Sequence, residues 1–142
     1  MPMDYENPMA AGSVLGATAI IVIPKTYCIV RAVWRWMGFY EHESCGKCTP
    51  CREGTYWLWH VYRRLEEGEG RPEDLDLLDR VCGSMGGKTL CALADFAIGP
   101  VLSSLKYFRD DYEAHITGRG CPLGSAGNGA ERHRSEAEAL TR

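Results

Sequence analysis

Apolar residues recur at helical spacing along most of the chain. Val30, Val33, Trp34, Met37 and Tyr40 follow a three, four, seven rhythm and predict an amphipathic helix, with Thr26 placed to cap it. Leu58, Val61, Tyr62 and Leu65 make a second stripe, and Gly68 stands where a left-handed residue would end that helix. Pro72 opens a third helix with Leu75, Leu78 and Cys82 on its buried side, closed by Gly83 to Gly87. Pro100 opens a fourth, with Val101, Leu105, Phe108, Tyr112 and Ile116 turned inward. One stretch breaks the rhythm. Residues 20–23 are a β-branched run ended by Pro24, which predicts a short strand with no partner strand elsewhere in the sequence. The expected fold is therefore mainly α: a small antiparallel four-helix bundle preceded by a short β remnant.

Composition divides the chain further. Residues 1–24 hold the strand, 25–117 the helical domain, and 118–142 shift to Gly, Ser, Ala, Arg and Glu with Leu140 as a late aliphatic residue, which predicts a disordered tail. The 16 basic against 19 acidic residues leave a net charge of -3, so no basic field is present to draw nucleic acid. The apolar run from Val14 to Ile23 reaches about half of the ~20 residues that a membrane span needs. Direct membrane insertion is not expected. With Asp4 and Glu6 before it, the run does not read as a signal peptide either.

Seven cysteines could indicate a secreted disulfide scaffold, but the number is odd and three crowd into one loop, which fits a reducing compartment better. Cys45, Cys48 and Cys51 stand at two successive x2 spacings, with Gly46 permitting a tight turn and Pro50 stiffening the approach to Cys51. Three close thiolates and one remote thiolate are what a [4Fe-4S] cubane requires, because each sulfur must reach a different iron. Structural zinc usually draws on two separate C-x2-C knuckles, and no second knuckle exists here. The fourth ligand must come from Cys28, Cys82, Cys91 or Cys121. Cys91, in a loop between helices, is the favoured one. Cys82 shares a stripe with Leu75 and Leu78, Cys28 falls in a helix's first turn, and Cys121 sits in a Gly-rich stretch and reads as an exposed thiol.

The wording around these cysteines is more specific than their spacing. The string SCGKCTPCREGT at 44–55, with Phe39, Tyr40, His42 and Glu43 before it, resembles the cluster motif of the flavoprotein subunit of NADH:quinone oxidoreductase (complex I) and of the related diaphorase subunits of NAD-linked hydrogenases and formate dehydrogenases. GKTLCALAD at 87–95, then Pro100, Val101 and the run from Leu105 to Arg109, resembles that family's fourth-ligand loop and closing helix. The resemblance covers about residues 3–122, the C-terminal third of such a flavoprotein. It implies that Cys45, Cys48, Cys51 and Cys91 hold the cluster, and that residues 1–24 are the end of an upstream ubiquitin-like domain. One departure stands before the strand, where Gly16, Ala17, Thr18 and Ala19 replace a pattern with glycine on both sides of a small polar residue.

By the same resemblance, the complete flavoprotein oxidises NADH through FMN, and both pockets lie in an upstream domain missing from this sequence. No G-x-G-x-x-G is present, and GSMGGKT at 83–89 fails as a phosphate loop because Cys82 stands where glycine is required. The chain then reads as an electron-transfer domain, either a fragment or one part of a split subunit. Its expected partners are other subunits of a multisubunit NADH dehydrogenase, especially a [2Fe-2S] subunit, and its expected location is cytoplasmic, peripheral on the inner face of the membrane through those partners. Two rivals remain: a zinc-stabilised interaction module and an inactive truncated product. Lys47 and Arg52 read equally as cluster-tuning or solvated charges, His42 as a surface or supporting histidine, and Trp34, Trp36, Trp57 and Trp59 as packing.

Overall fold

The computed structural model of the chain describes residues 2, 4–16 and 20–124. Among them are six helices: α1 Glu6–Ala10, α2 Ile29–Glu43, α3 Thr49–Glu67, α4 Glu73–Met85, α5 Leu93–Tyr107 and α6 Arg109–Thr117. Helix α2 packs against α3 and α5, α3 against α4, and α4 against α5, so four helices close on one another. Helix α6 seats against α2, α3 and α5. The predicted stripes fill the centre: Val30, Val33, Met37, Leu58, Tyr62, Leu65, Leu78, Val101 and Tyr112 are fully buried. Each such aliphatic side chain contributes about 1.5–3 kcal/mol by leaving water, which is what selects helices in this register.

The helix boundaries follow local chemistry. Gly68 takes φ 82 and ends α3 as the stripe predicts. The start of α2 differs from expectation, because Tyr27 N–H donates to the Pro24 carbonyl and uses residues 25–27 in a turn. Cys28, not Thr26, is the cap, its sulfur accepting the Arg31 N–H at 3.4 Å. Helix α4 runs through Gly83 to Met85, held there by the complete burial of Met85.

Pro100 lies inside α5 instead of opening a helix. Ala94, Ala97, Val101 and Ser104 are buried on one face that stays in helical register across the proline, so burial outweighs the lost backbone bond. Gly99, lacking a Cβ, relieves the crowding that a ring imposes on the preceding residue. The break falls at Phe108, with φ -132 and ψ 33, and its ring is 46% exposed, not inward.

No β-strand occurs among the described residues. Ile20, Ile21 and Val22, expected as a buried strand, are 74%, 67% and 87% exposed. The physical reason is the missing neighbour: a strand needs a second strand for its N–H and C=O groups, and none is present among the described residues. Residues 17–19 lie outside the described residues, as do 125–142, where most of the predicted disordered tail falls.

Candidate metal centre

Cys45, Cys48 and Cys51 span the connection between α2 and α3. Gly46 reverses the chain at φ 72, a left-handed turn that suits glycine. Cys48 is the extended N-cap of α3, Pro50 occupies the helix's opening positions, and buried Cys51 follows in the first turn. Two of the three thiols thus sit at a helix N-terminus, where unpaired backbone N–H groups and the positive end of the macrodipole face any anionic group the loop holds. Cys45 is exposed at the loop's rim.

Polar contacts shape this loop. Ser44 Oγ lies 3.4 Å from Cys51 Sγ. Arg52 donates from Nη1 to the Gly46 carbonyl at 2.7 Å and pairs with Glu53 at 2.9 Å, so its guanidinium braces the turn between Cys45 and Cys48. His42 is exposed on the last turn of α2.

The loop between α4 and α5 supplies Cys91. The Leu90 N–H donates to Cys48 Sγ at 3.5 Å, which joins the two loops directly. Around it, Thr89 Oγ1 donates to the Cys91 carbonyl at 2.9 Å, the Gly87 N–H to Asp95 Oδ1 at 2.8 Å, and Lys88 Nζ to the Gly83 carbonyl at 2.7 Å. This stretch holds the residues of the failed phosphate motif. Its Gly87 takes φ 65, and it serves as the support of the Cys91 loop.

The donor set suits a four-iron cubane. Sulfurs on one tetrahedral zinc, at ~2.3 Å each, stand about 3.8 Å apart. Among the described residues, Cys45, Cys48, Cys51 and Cys91 do not form a group drawn within 4.8 Å, whereas another set does. Thiolates on separate irons stand wider apart than that, and the Leu90 N–H on Cys48 Sγ and the Ser44 hydroxyl beside Cys51 Sγ are contacts of the kind that tune such a group.

The other cysteines divide. Cys82 is buried, and burial with the nearby Asp79 pushes its thiol up to about 12, as befits a core residue. Cys121, expected as an exposed thiol, is partly buried and packs against the core. It meets Cys28, Glu66 and His115 within 4.8 Å. Sequence reasoning missed this group, because its members are scattered from position 28 to 121 and share no motif. Trp34, Trp36 and Trp59 pack against the core, as expected, and Trp57 is 52% exposed.

Residues 31–115 match the family described as the NADH-ubiquinone oxidoreductase-F iron-sulfur binding region. The NADH-quinone oxidoreductase F chain of Streptomyces coelicolor is 55% identical over 139 residues, covering 98% of this chain and 31% of that protein. Its counterpart of the same name in Mycobacterium tuberculosis strain H37Rv is 57% identical over 123 residues, covering 87% of this chain and 28% of that protein. The chain therefore spans under a third of these relatives. Among solved structures, the crystal structure of NAD+-reducing [NiFe]-hydrogenase in the H2-reduced state aligns with a TM-score of 0.60 and 25% identity, over 84% of this chain and 20% of that one.

Proposed function

Because the chain belongs to the family of NADH-ubiquinone oxidoreductase-F iron-sulfur binding regions, we propose that Cys45, Cys48, Cys51 and Cys91 hold its [4Fe-4S] cluster and that the chain relays single electrons. The observation that carries this ligand set is the Leu90 N–H to Cys48 Sγ contact, which seats the Cys91 loop on the three-cysteine loop. When bound, the cluster supplies one-electron storage. The chain's own groups do the rest. Pro50 and Gly46 shape the thiol loop, Arg52 braces it through the Gly46 carbonyl, and Ser44 and the Leu90 amide approach ligand sulfurs. A zinc-stabilised module is not favoured, given the family.

The wider setting belongs to the same proposal. Residues 1–24 are the end of a ubiquitin-like domain and 25–117 the cluster domain, while the expected tail from 118 begins with a turn whose Cys121 still packs against the core. FMN and NADH bind in the part of the relatives that this chain does not span, and a subunit carrying a [2Fe-2S] centre accepts electrons from it. Among the described residues no helix is long and apolar enough to cross a membrane. Association with the inner face of the cell membrane, from the cytoplasm, would then run through partner subunits.

Carrier and catalyst should separate in a direct test. The reconstituted chain is expected to bleach with dithionite, yet stay oxidised with NADH, with or without FMN, until a flavin domain is supplied. Rapid bleaching by NADH alone would show a nucleotide site within this chain and overturn the division proposed.

A further inference from the structure

A second group of ligand atoms converges far from the cluster loop. Cys28 caps the start of α2 and Glu66 lies at the end of α3, whereas the cluster cysteines follow the end of α2 and begin α3. The two places are thus at opposite ends of one helical hairpin, about 20 Å apart at 1.5 Å per residue. Cys28 Sγ lies 3.3 Å from His115 Nε2 and 3.7 Å from Glu66 Oε1. His115 Nε2 is 3.3 Å from Glu66 Oε1, and Cys121 Sγ completes a set whose members all lie within 4.8 Å. We propose that Cys28, Glu66, His115 and Cys121 form a second metal site, taking one tetrahedral divalent ion of the zinc type.

The three distances among Cys28, Glu66 and His115 match that coordination, and Cys121 lies within 4.8 Å of each. Bonds of ~2.3 Å to sulfur and ~2.0–2.1 Å to nitrogen and oxygen place tetrahedral ligand atoms about 3.3–3.8 Å apart. Orientation matches as well. His115 Nδ1 sits 2.6 Å from the Asp111 carbonyl, a contact only an N–H can make favourably, so Nε2 is the nitrogen turned to the group and, in the neutral ring, the one with a lone pair for a metal. Glu66 Oε2 is taken by Arg31 Nε at 2.7 Å, which leaves Oε1 facing the group. Without a metal, Nε2 and Oε1 at 3.3 Å need a shared proton on the ring, and the Cys28 sulfur stands 3.3 Å from the one and 3.7 Å from the other. A cation at the centre satisfies all four donors at once. Two thiolates and a carboxylate around a divalent ion leave one negative charge, which Arg31 offsets from 2.7 Å.

The turn that delivers Cys121 is built for the purpose. Arg119 takes φ 52, the one positive φ outside glycine among the described residues, and Gly120 follows at φ 123. The Gly118 and Gly120 N–H groups donate to the carbonyls of Ala114 and His115 at 2.8 Å each. Gly68 lets this turn close on α3, since a Cβ there would stand 2.3 Å from the Arg119 carbonyl oxygen. His115 and Cys28 are both buried, so the site lies inside the fold, sealed by the last turn.

Metal analysis of the cluster-loaded chain, prepared anaerobically and incubated with equimolar zinc before desalting, tests this directly. About one zinc per chain is expected beside about four irons. Cys121→Ser should lose the zinc and keep the iron, while Cys45→Ser should lose the iron and keep the zinc, so the two sites fail separately. Cobalt(II) should give intense tetrahedral and thiolate charge-transfer bands in the wild type that collapse in Cys121→Ser. Cys121 lies outside every helix, so this variant keeps the core; Cys28→Ser is the second arm. Four results overturn the site: no zinc in the wild type, equal zinc in Cys121→Ser, zinc that follows Cys45→Ser, or a mass two hydrogens low from a Cys28 to Cys121 disulfide in place of metal.

Discussion

Tyr112 joins two parts of the core through a directed chain of hydroxyls. Ser104 Oγ donates to the Pro100 carbonyl at 2.6 Å, which leaves its oxygen to accept from Tyr112, and Tyr112 in turn accepts from Tyr62, each at 2.6 Å. Tyr62→Phe removes only the outermost donor and should cost ~0.5–1.5 kcal/mol in urea unfolding. Tyr112→Phe strands the Tyr62 hydroxyl and should cost more, ~1–3 kcal/mol. Equal effects would contradict the direction assigned to the chain. Burial pushes Tyr112 up to about 12 and Tyr62 well above its usual value. A raised folded pKa contributes stability that is fully present below the unfolded value of ~10 and lost as pH climbs through about 12. Stability should therefore fall between those values, and less steeply in Tyr112→Phe. The sequence displays both tyrosines as members of apolar stripes, but their bond joins positions 62 and 112, and no local pattern encodes such a pair. His115 was missed for the same reason, since its partners stand at 28, 66 and 121.

Helices were largely readable because burial imposes a period, and the errors fall where the period is silent about ends. Thr26 has capping chemistry, yet the turn from Pro24 shifts the cap to Cys28. Pro100 has the chemistry of a helix start, yet the buried face running from Ala94 to Ser104 carries α5 through it. Close approach between helices is also invisible to periodicity. Gly54, just after the cysteine loop, faces Met85 of α4, and a Cβ there would stand 2.4 Å from Met85 Sδ. Gly54→Ala should destabilise by ~1–3 kcal/mol, because Met85 is fully buried and has little room to retreat. Gly83, in α4, has nothing within 4 Å of such a Cβ. Gly83→Ala should stabilise by ~0.5–1 kcal/mol. Thermal or urea unfolding of the pair checks both signs, and a loss at Gly83 or a gain at Gly54 would contradict the packing described.

In the whole molecule, the proposed cluster ties together four helices. Cys45, Cys48 and Cys51 join α2 to α3, and Cys91 joins α4 to α5, so the apo protein must hold both connections by packing alone. Cluster binding then adds to folding free energy as structural metals do in small domains. Removing iron anaerobically with an Fe(II)-selective chelator should lower the thermal midpoint by on the order of 10 °C. An unchanged midpoint would mean that the bundle, with its fully buried Leu58, Leu65, Leu78 and Val101, needs no help. At this scale the three-cysteine loop was plain in the sequence, since its ligands are neighbours. The place of Cys91 was readable as a loop position between helices and from the resemblance of residues 87–95 to a fourth-ligand loop, while its seating on Cys48 through Leu90 emerges from the fold. Iron and acid-labile sulfide content after identical anaerobic reconstitution of the wild type, Cys91→Ser and Cys82→Ser tests that seating most directly. The account predicts about four of each in the wild type and in Cys82→Ser, with the intact cluster lost from Cys91→Ser. Equal loss in both variants, or loss confined to Cys82→Ser, would contradict it.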